Sequence, residues 1–369
     1  MCGIAVVIGK DRNKVFNTSE LLKLSLAHRG PDGDGVKVLE TSIGSYLGFA
    51  HTRLSILDLS SLGSQPMVDS NTGNVIVFNG EIYNYMEIRD ELLSMGEVFN
   101  SSSDTEVILK GCNRFGFEKL LSKLRGMFAF AWWDINTQIL HIARDPLGIK
   151  PLYFHSTSSS FALSSELKAF HSSGIIDQNV SINSVDSYLS LGSVQPPNTI
   201  YSNVYSLMPG HYIMVTGDGR VASQKPYHCL SDTFEENDID IRTALENSMK
   251  RHLVSDVPLG IMLSGGYDST ALACMAKKHS QDPLSSFTMN FPEIAQNSEI
   301  HNAKKIADYF NLNHKVLDIY KEDVFNSFES YFKAMDQPSD DGLNIFLISK
   351  KIRQHDIKAC LHGAGGDEL

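Results

Sequence analysis

The sequence predicts two domains of different texture: α+β layers built on antiparallel sheets, then a doubly wound α/β parallel sheet. Three observations lead there. The first two-thirds of the chain is a succession of short β-branched and aromatic runs bounded by turn residues. The final third alternates helical and strand patterns regularly. Between them, "HCLSDTFEENDID" is polar, acidic and poor in apolar residues, as a linker would be.

In the front part, "LGFAHTRLSIL", "NVIVFNGEIY", "FAFAWWD", "QILHIARD" and "HYIMVTGDG" read as strands. "SELLKLSLAHRG" and "DTEVILKGCNRFG" repeat apolar residues three and four apart and read as helices. Beyond the linker, the helix "IRTALENSMKRHL" leads to the strand "PLGIMLS", the helix "STALACMAKKH" and the strand "LSSFTMNF". A helix around "NAKKIADYF", the strand "HKVLDI", a helix at "FLISKKIRQH" and the strand "IKACLHG" complete the series. Such alternation places ligands at the carboxyl ends of the strands.

The bulk numbers narrow the function. With 369 residues the chain can hold two domains that each bury a core. A hydrophobic fraction of 42% and a charged fraction of 20% are ordinary for a globular protein. A net charge of -11 argues against nucleic acid or an anionic membrane as a general partner. No stretch reaches the roughly 20 apolar residues of a bilayer span. The first residues lack the basic and apolar regions of a signal peptide, so the closing "GDEL" is not expected to act as a retention signal. Cys2, Cys112, Cys229, Cys274 and Cys360 are scattered and contain no C-x-x-C. A reducing cytoplasm suits them better than a disulfide framework or a zinc site.

Two stretches carry chemistry. In "MCGIAVVIGK" a cysteine follows the initiator methionine at the head of an apolar run. Packing is one explanation, since free cysteine behaves as a small hydrophobe. The other is that loss of Met1 leaves a thiol and an α-amine on one carbon. That amine titrates near ~8, against ~10.4 for lysine, and can act as the thiol's own base. The stretch alone leaves both open. The second stretch is the strand "GIML" running into Ser264-Gly265-Gly266-Tyr267-Asp268-Ser269-Thr270 and then a helix. Glycines let the backbone approach an oxyanion, and the helix N-terminus favours negative charge. It is neither a Walker loop nor a G-x-G-x-x-G dinucleotide turn.

"LSGGYDST" resembles the PP-loop of the ATP pyrophosphatases, which cleave ATP between the α- and β-phosphates. "MCGIAVV", "HRGPDG", "HTRLSILDL", "FNGEIYNY", "SDTEVIL", "GMFAFAWWD" and "RDPLGIKPLYF" resemble the class-II, N-terminal-nucleophile glutamine amidotransferases. With "SSELKAF", "LMPGHY", "SDVPLGIMLSGG" and "GAGGDEL" in this order, the whole chain resembles the glutamine-hydrolysing asparagine synthetases. The resemblance implies a glutaminase domain of N-terminal-nucleophile hydrolase layers over residues 1–228 and a linker over 229–237. An ATP-pyrophosphatase domain over 238–369 would follow.

The resemblance also assigns roles. Cys2 attacks the glutamine side-chain amide, and Asn79 and Gly80 build the oxyanion hole, where a donor can be worth ~3–4 kcal/mol. Arg53 takes the substrate carboxylate, Asp104 its ammonium, and Leu54, Ser55, Ile56 and Glu81 complete the glutamine site. In the second domain Ser264, Gly265, Gly266, Asp268 and Ser269 form the pyrophosphate cradle. Leu263, Met289, His362 and Gly363 flank the nucleotide. Asp268 and Asp367 are the implied ligands of Mg²⁺, which typically bridges phosphates with one or two carboxylates. Glutamine, aspartate and ATP are the implied small molecules, and the resemblance leaves room for a homodimer.

Three features depart from the family pattern. His362 replaces a small hydroxyl residue, Ala364 stands where an acidic residue is common, and Tyr267 replaces leucine. His362 and Ala364 make another carboxylate, such as one on a surface-polysaccharide precursor, an alternative acceptor. Family members also continue past "DEL" into a helical region that closes the synthetase site. The expectation is therefore a C-terminally incomplete second domain, whose third reading is a glutaminase or nucleotide-binding module without synthetase turnover.

Overall fold

A computed structural model describes residues 1–229, 240–280, 282–293 and 298–365. The chain divides into two compact units whose boundary falls within residues 230–239, and Asp336–Ser339 groups with the first. Most of the expected linker and the expected ligand Asp367 lie outside the described residues.

The first unit begins with β1 (Gly3–Gly9), α1 (Arg12–Ser25), β2 (Gly33–Glu40), β3 (Tyr46–Arg53), β4 (Met67–Val68) and β5 (Val75–Ile82). Helices α2 (Tyr85–Ser94), α3 (Asp104–Phe115) and α4 (Phe117–Lys123) follow, then β6 (Gly126–Asp134) and β7 (Ile139–Arg144). It closes with β8 (Tyr153–Ser156), β9 (Phe161–Ser164), α5 (Leu167–Ser172), α6 (Ile182–Leu191), β10 (Tyr205–Ser206), β11 (His211–Thr216) and β12 (Val221–Pro226).

These strands form two antiparallel sheets of six, ordered β10-β8-β9-β1-β3-β2 and β12-β11-β7-β6-β5-β4. Alternation along each strand decides which residues face inward. Ile4, Val6 and Ile8 of β1 and Leu47 and Phe49 of β3 meet Val75, Val77, Ala129, Ala131 and Trp133 of the other sheet in one core. The outer face of the first sheet, with Ala5, Val7 and Ala50, packs on Val15 and Leu22 of α1 and Phe170 of α5. The outer face of the second, with Ile76, Phe78, Phe128 and Phe130, packs on Val107 and Ile108 of α3 and Leu120 of α4. The result is four layers: helix, sheet, sheet, helix.

The same phase places the candidate residues. Cys2 falls in step with Ile4, His51 and Arg53 with Phe49, and Asn79 and Glu81 with Val77. The chemistry-bearing residues are therefore the last members of inward-facing rows whose other members form the apolar core.

The second unit comprises α7 (Ile241–His252), β13 (Leu259–Met262), α8 (Tyr267–His279), β14 (Ser285–Asn290), α9 (Ser298–Tyr309) and β15 (Asn313–Asp318). Then come α10 (Lys321–Ala334), α11 (Leu343–Arg353) and β16 (Ala359–Leu361). Its sheet is parallel, in the order β15-β14-β13-β16. Met249, Ala273, Ala276, Ala303 and Ala307 of α7, α8 and α9 cover one face with Ile261 and Leu263. Ile348 and Ile352 of α11 cover the other with Phe287 and Leu317. The chain steps from β13 outward to β15 and then returns to the other side of β13. That reversal creates a switch point between β13 and β16, where ligands of doubly wound sheets bind.

The fold class matches the sequence reading, with local differences. β3 stops at Arg53, so "LSIL" is loop, and α1 starts at Arg12, ahead of "SELLK". Helix α10, with no expected counterpart, carries a weakly patterned aromatic stripe, with Phe325 and Phe332 largely exposed.

Candidate active site

Cys2 precedes β1 directly. The Leu54 amide, just past β3, donates to Cys2 Sγ at 3.4 Å, and the Leu54 carbonyl faces the same sulfur at 3.7 Å. Arg29 Nε donates to the Cys2 carbonyl at 2.9 Å while its Nη1 meets Glu166 Oε1 at 2.6 Å. Burial pushes the Cys2 thiol pKa up, opposed by the Leu54 amide. With Met1 in place, enclosure lowers the α-amine pKa to about 5, with a nearby Cys2 thiolate opposing and Lys150 and Arg29 reinforcing the shift. The enclosed thiol is therefore harder to ionise than a free cysteine.

Asn79 is fully buried on the inner face of β5, and neither its amide nitrogen nor its carbonyl oxygen has a partner among the described residues. Buried polar groups are rarely left so. Gly80 has a separate reason to be glycine: a Cβ there would lie 2.2 Å from the Met127 carbonyl oxygen on β6. Asp104 opens α3 behind the Ser103 cap, whose hydroxyl accepts from Thr105 N at 3.1 Å. Its Oδ2 accepts from Ile82 N at 3.0 Å, which ties α3 to the end of β5 beside Glu81. Burial raises Asp104 to about 6, against its backbone hydrogen bonds and Arg53. Burial and then Asp104 raise Glu81 to about 7, with Lys150 opposing.

Arg53 is in place but engaged. Its Nη1 donates to Ser60 O at 2.7 Å and its Nη2 to the carbonyls of Asp58 and Leu57, so it holds the 57–60 loop. Ser55 N donates to Asp32 Oδ2 at 2.9 Å. Arg53, Ser55 and Asp32 share a 280 Å³ cavity with His51, Ser60 and Gln65, and Ile56 is half-buried in the same loop. His51 is buried, and burial lowers its pKa to about 3 against a hydrogen bond with the Phe78 backbone, so it is neutral. His51, Asp32, Arg29 and the buried Lys150 were not among the expected site residues. Each nonetheless lies in a stretch that carried the resemblance, "HTRLSI", "HRGPDG" or "RDPLGIK".

In the second unit, the turn after β13 is locked by its own hydroxyls. Ser264 Oγ and Ser269 Oγ are 3.0 Å apart, Ser264 N donates to Ser269 Oγ at 3.3 Å, and Gly266 N to Ser264 Oγ at 3.3 Å. Gly265 has φ +86°, and a Cβ there would sit 3.0 Å from Ala303 N of α9. A Cβ on Gly363 would lie 3.1 Å from Asp268 Cβ, so the turns after β13 and β16 are packed together. Ala364 N donates to His362 Nδ1 at 3.3 Å. A 730 Å³ cavity opens at this switch point. Leu263, Ser264, Gly266, Asp268, Ser269, Met289, His362 and Gly363 line it, and Gly265 shapes the turn from behind. Phe291, Glu299 and Asn344 also line it and were not expected. Their stretches carry no glycine signature. Among the described residues no cluster of three His, Cys, Asp or Glu side chains could hold a metal. No helix among them is long and apolar enough to cross a membrane.

Comparison with known proteins agrees with this division. A family model described as a glutamine amidotransferase domain matches residues 1–228, and one described as asparagine synthase matches 240–369. Asparagine synthetase [glutamine-hydrolyzing] 1 of Bacillus subtilis is 34% identical over 100% of this chain, which spans 58% of that protein. A putative asparagine synthetase [glutamine-hydrolyzing] 2 of Methanocaldococcus jannaschii is 31% identical over 100% of this chain and 75% of its own length. A solved glutamine phosphoribosylpyrophosphate amidotransferase from B. subtilis shares 14% identity over 98% of this chain and 91% of its own, with a TM-score of 0.45. The chain belongs to the family of glutamine-hydrolysing asparagine synthetases, with its glutamine amidotransferase domain at residues 1–228.

Proposed function

We propose that the chain hydrolyses glutamine at Cys2 and passes the ammonia to a carboxylate activated by ATP, making asparagine from aspartate. The observation that carries this is Asn79, a fully buried amide on the same inner face as Cys2, with no partner among the described residues. An oxyanion forming at the thiol would give it one.

In the first step Cys2 Sγ bonds to the glutamine Cδ while the thiol proton passes to the α-amine freed by loss of Met1. Asn79 Nδ2 and the Gly80 amide stabilise the oxygen that gains charge. The C–N bond then breaks, the amine returns the proton to the departing nitrogen, and ammonia leaves. Water cleaves the thioester to glutamate. Asp104 and Glu81 supply negative charge for the substrate ammonium.

In the second unit the backbone amides after β13 and the N-terminus of α8 would receive the ATP phosphates. The glycine turns leave room for them, and Asp268, in the first turn of α8, offers a carboxylate to Mg²⁺. When bound, that ion would neutralise phosphate charge. The acceptor carboxylate displaces pyrophosphate from the α-phosphorus, and ammonia then displaces AMP from the acyl-adenylate. Aspartate as acceptor, a cytoplasmic setting and a homodimeric assembly are parts of this reading supported by the family alone.

The test is AMP, pyrophosphate and asparagine formation from the chain with MgATP, aspartate and either glutamine or ammonium. Asparagine from both nitrogen sources is the expected result. AMP formed only with a different carboxylate would replace the acceptor, and glutamate release without AMP would reduce the chain to a glutaminase.

A further inference from the structure

Glu166 stands at the N-cap of α5 but does not cap it. A capping side chain accepts from the first amides of its helix. Here that task falls to Asp336, of the segment that groups with the first unit. Its Oδ2 accepts from Leu167 N at 2.7 Å and its Oδ1 from Lys168 N at 3.0 Å. The Glu166 carboxylate turns instead to the Arg29 guanidinium, with Oε1 2.6 Å from Nη1 and both side chains only 8% exposed. His28 Nε2 lies 3.0 Å from the same oxygen, and Lys168 Nζ stands 2.9 Å from Oε2. Burial would raise the Glu166 carboxyl, but His28, Arg29 and Lys168 outweigh it and bring the pKa down to about 2, so the group is ionised.

The pair reaches the nucleophile through one bond: Arg29 Nε donates to the Cys2 carbonyl at 2.9 Å. Both partners are fixed at their backbones. Ser165 N donates to Ile4 O at 3.0 Å and Ile4 N to Ser165 Oγ at 3.0 Å, so Glu166 directly follows a residue stitched to β1. Arg29 N donates to Leu26 O at 2.9 Å, and a Cβ on the next residue, Gly30, would lie 2.2 Å from the Thr52 carbonyl carbon of β3. Once Met1 is removed, no preceding peptide holds Cys2. Its place then depends on β1, on its sulfur, met by the Leu54 amide at 3.4 Å, and on its carbonyl, held by Arg29.

We propose that Glu166 is a positioning residue of the glutaminase site: by holding Arg29 on the Cys2 carbonyl, it fixes how the thiol and the freed α-amine are presented to glutamine. The role rests on the glutaminase reading above. Removing the carboxylate leaves an enclosed guanidinium without compensation, which drives it toward water and off the carbonyl. Cys2 then gains rotation about its Cα–C bond, the one torsion that moves amine and thiol together. A misplacement of about 1 Å at a reacting centre can cost about 10²-fold in rate.

The experiment measures glutamate release and the rate of Cys2 alkylation by iodoacetamide, with the modified peptide identified by mass, in wild type, Glu166→Ala and Glu166→Gln. In the alanine variant kcat should fall by about 10–10²-fold with little change in KM for glutamine. Alkylation of Cys2 should at the same time speed up severalfold, because the enclosed thiol is released. The glutamine variant, which keeps an acceptor for Arg29 Nη1, should recover most of both. A brace for α5 alone would lower the melting temperature and leave both rates at their wild-type values, and that result would overturn the proposal. If Glu166→Ala does not fold, Glu166→Asp, which keeps the charge but draws it back by one methylene, decides in the same way. Wild type that releases no glutamate would defeat the glutaminase reading, while the alkylation rates would still judge Glu166.

Discussion

The Leu54 amide donates to the Cys2 sulfur at 3.4 Å, tying the residue ahead of β1 to the loop that leaves β3. The bond fixes the thiol beside two inward-facing rows without any side chain acting as its base. Cys2→Ala should therefore abolish glutamate release and leave ammonia-dependent AMP formation intact. Its melting temperature should stay within a few degrees of wild type, since one half-buried sulfur is lost. Parallel assays with glutamine and ammonium check both halves.

Asn79→Ala separates catalysis from stability. Loss of one oxyanion donor costs about 10²–10³ in kcat. Removing a buried amide that has no partner among the described residues costs the fold little, so thermal stability should be unchanged or higher. A large drop in melting temperature would mean that Asn79 is structural.

The carboxylates Glu81 and Asp104, raised to about 7 and about 6 by burial, give the free enzyme a pH signature. In the unfolded chain both ionise near ~4. The stabilisation from their protonated folded forms is thus complete below that pH and is lost as pH rises through about 6 to about 7. Glutamine, whose ammonium needs the ionised forms, should bind worse as pH falls over the same window. Melting curves from pH 4 to 8 should show the decline, and Glu81→Gln with Asp104→Asn should flatten it. KM for glutamine should rise between pH 8 and pH 6.

Two glycines make a contrasting pair. Gly80→Ala would drive a methyl into the Met127 carbonyl at 2.2 Å, and overpacking of this kind costs about 1–3 kcal/mol. Gly265→Ala acts locally: the strained φ of +86° and the 3.0 Å approach to α9 should displace the turn after β13. Nucleotide binding by calorimetry should then be lost while glutaminase activity is kept.

Much of this was legible in the residues because the chemistry sits at the ends of regular strands. The family resemblance at "FNGEIYNY" names Asn79, which β5 then sets in step with Val75 and Val77 of the core, and the strand–glycine–helix order names the turn at Ser264. What sequence could not supply were contacts between distant segments. Nothing in "RDPLGIK" shows that Asp145 folds the turn delivering Lys150, and nothing in "HTRLSI" distinguishes the buried, neutral His51 from the engaged Arg53. Asn344 reaches the cavity at the switch point only because the chain returns across β13 to form β16.

The most direct measurement is the mass of the N-terminal peptide after treatment with an electrophilic glutamine analogue. Met1 should be absent and the adduct should be on Cys2, formed more slowly when glutamine competes. Retained Met1 in protein that releases glutamate, or an adduct on Cys274 or Cys360 instead, would contradict an N-terminal nucleophile.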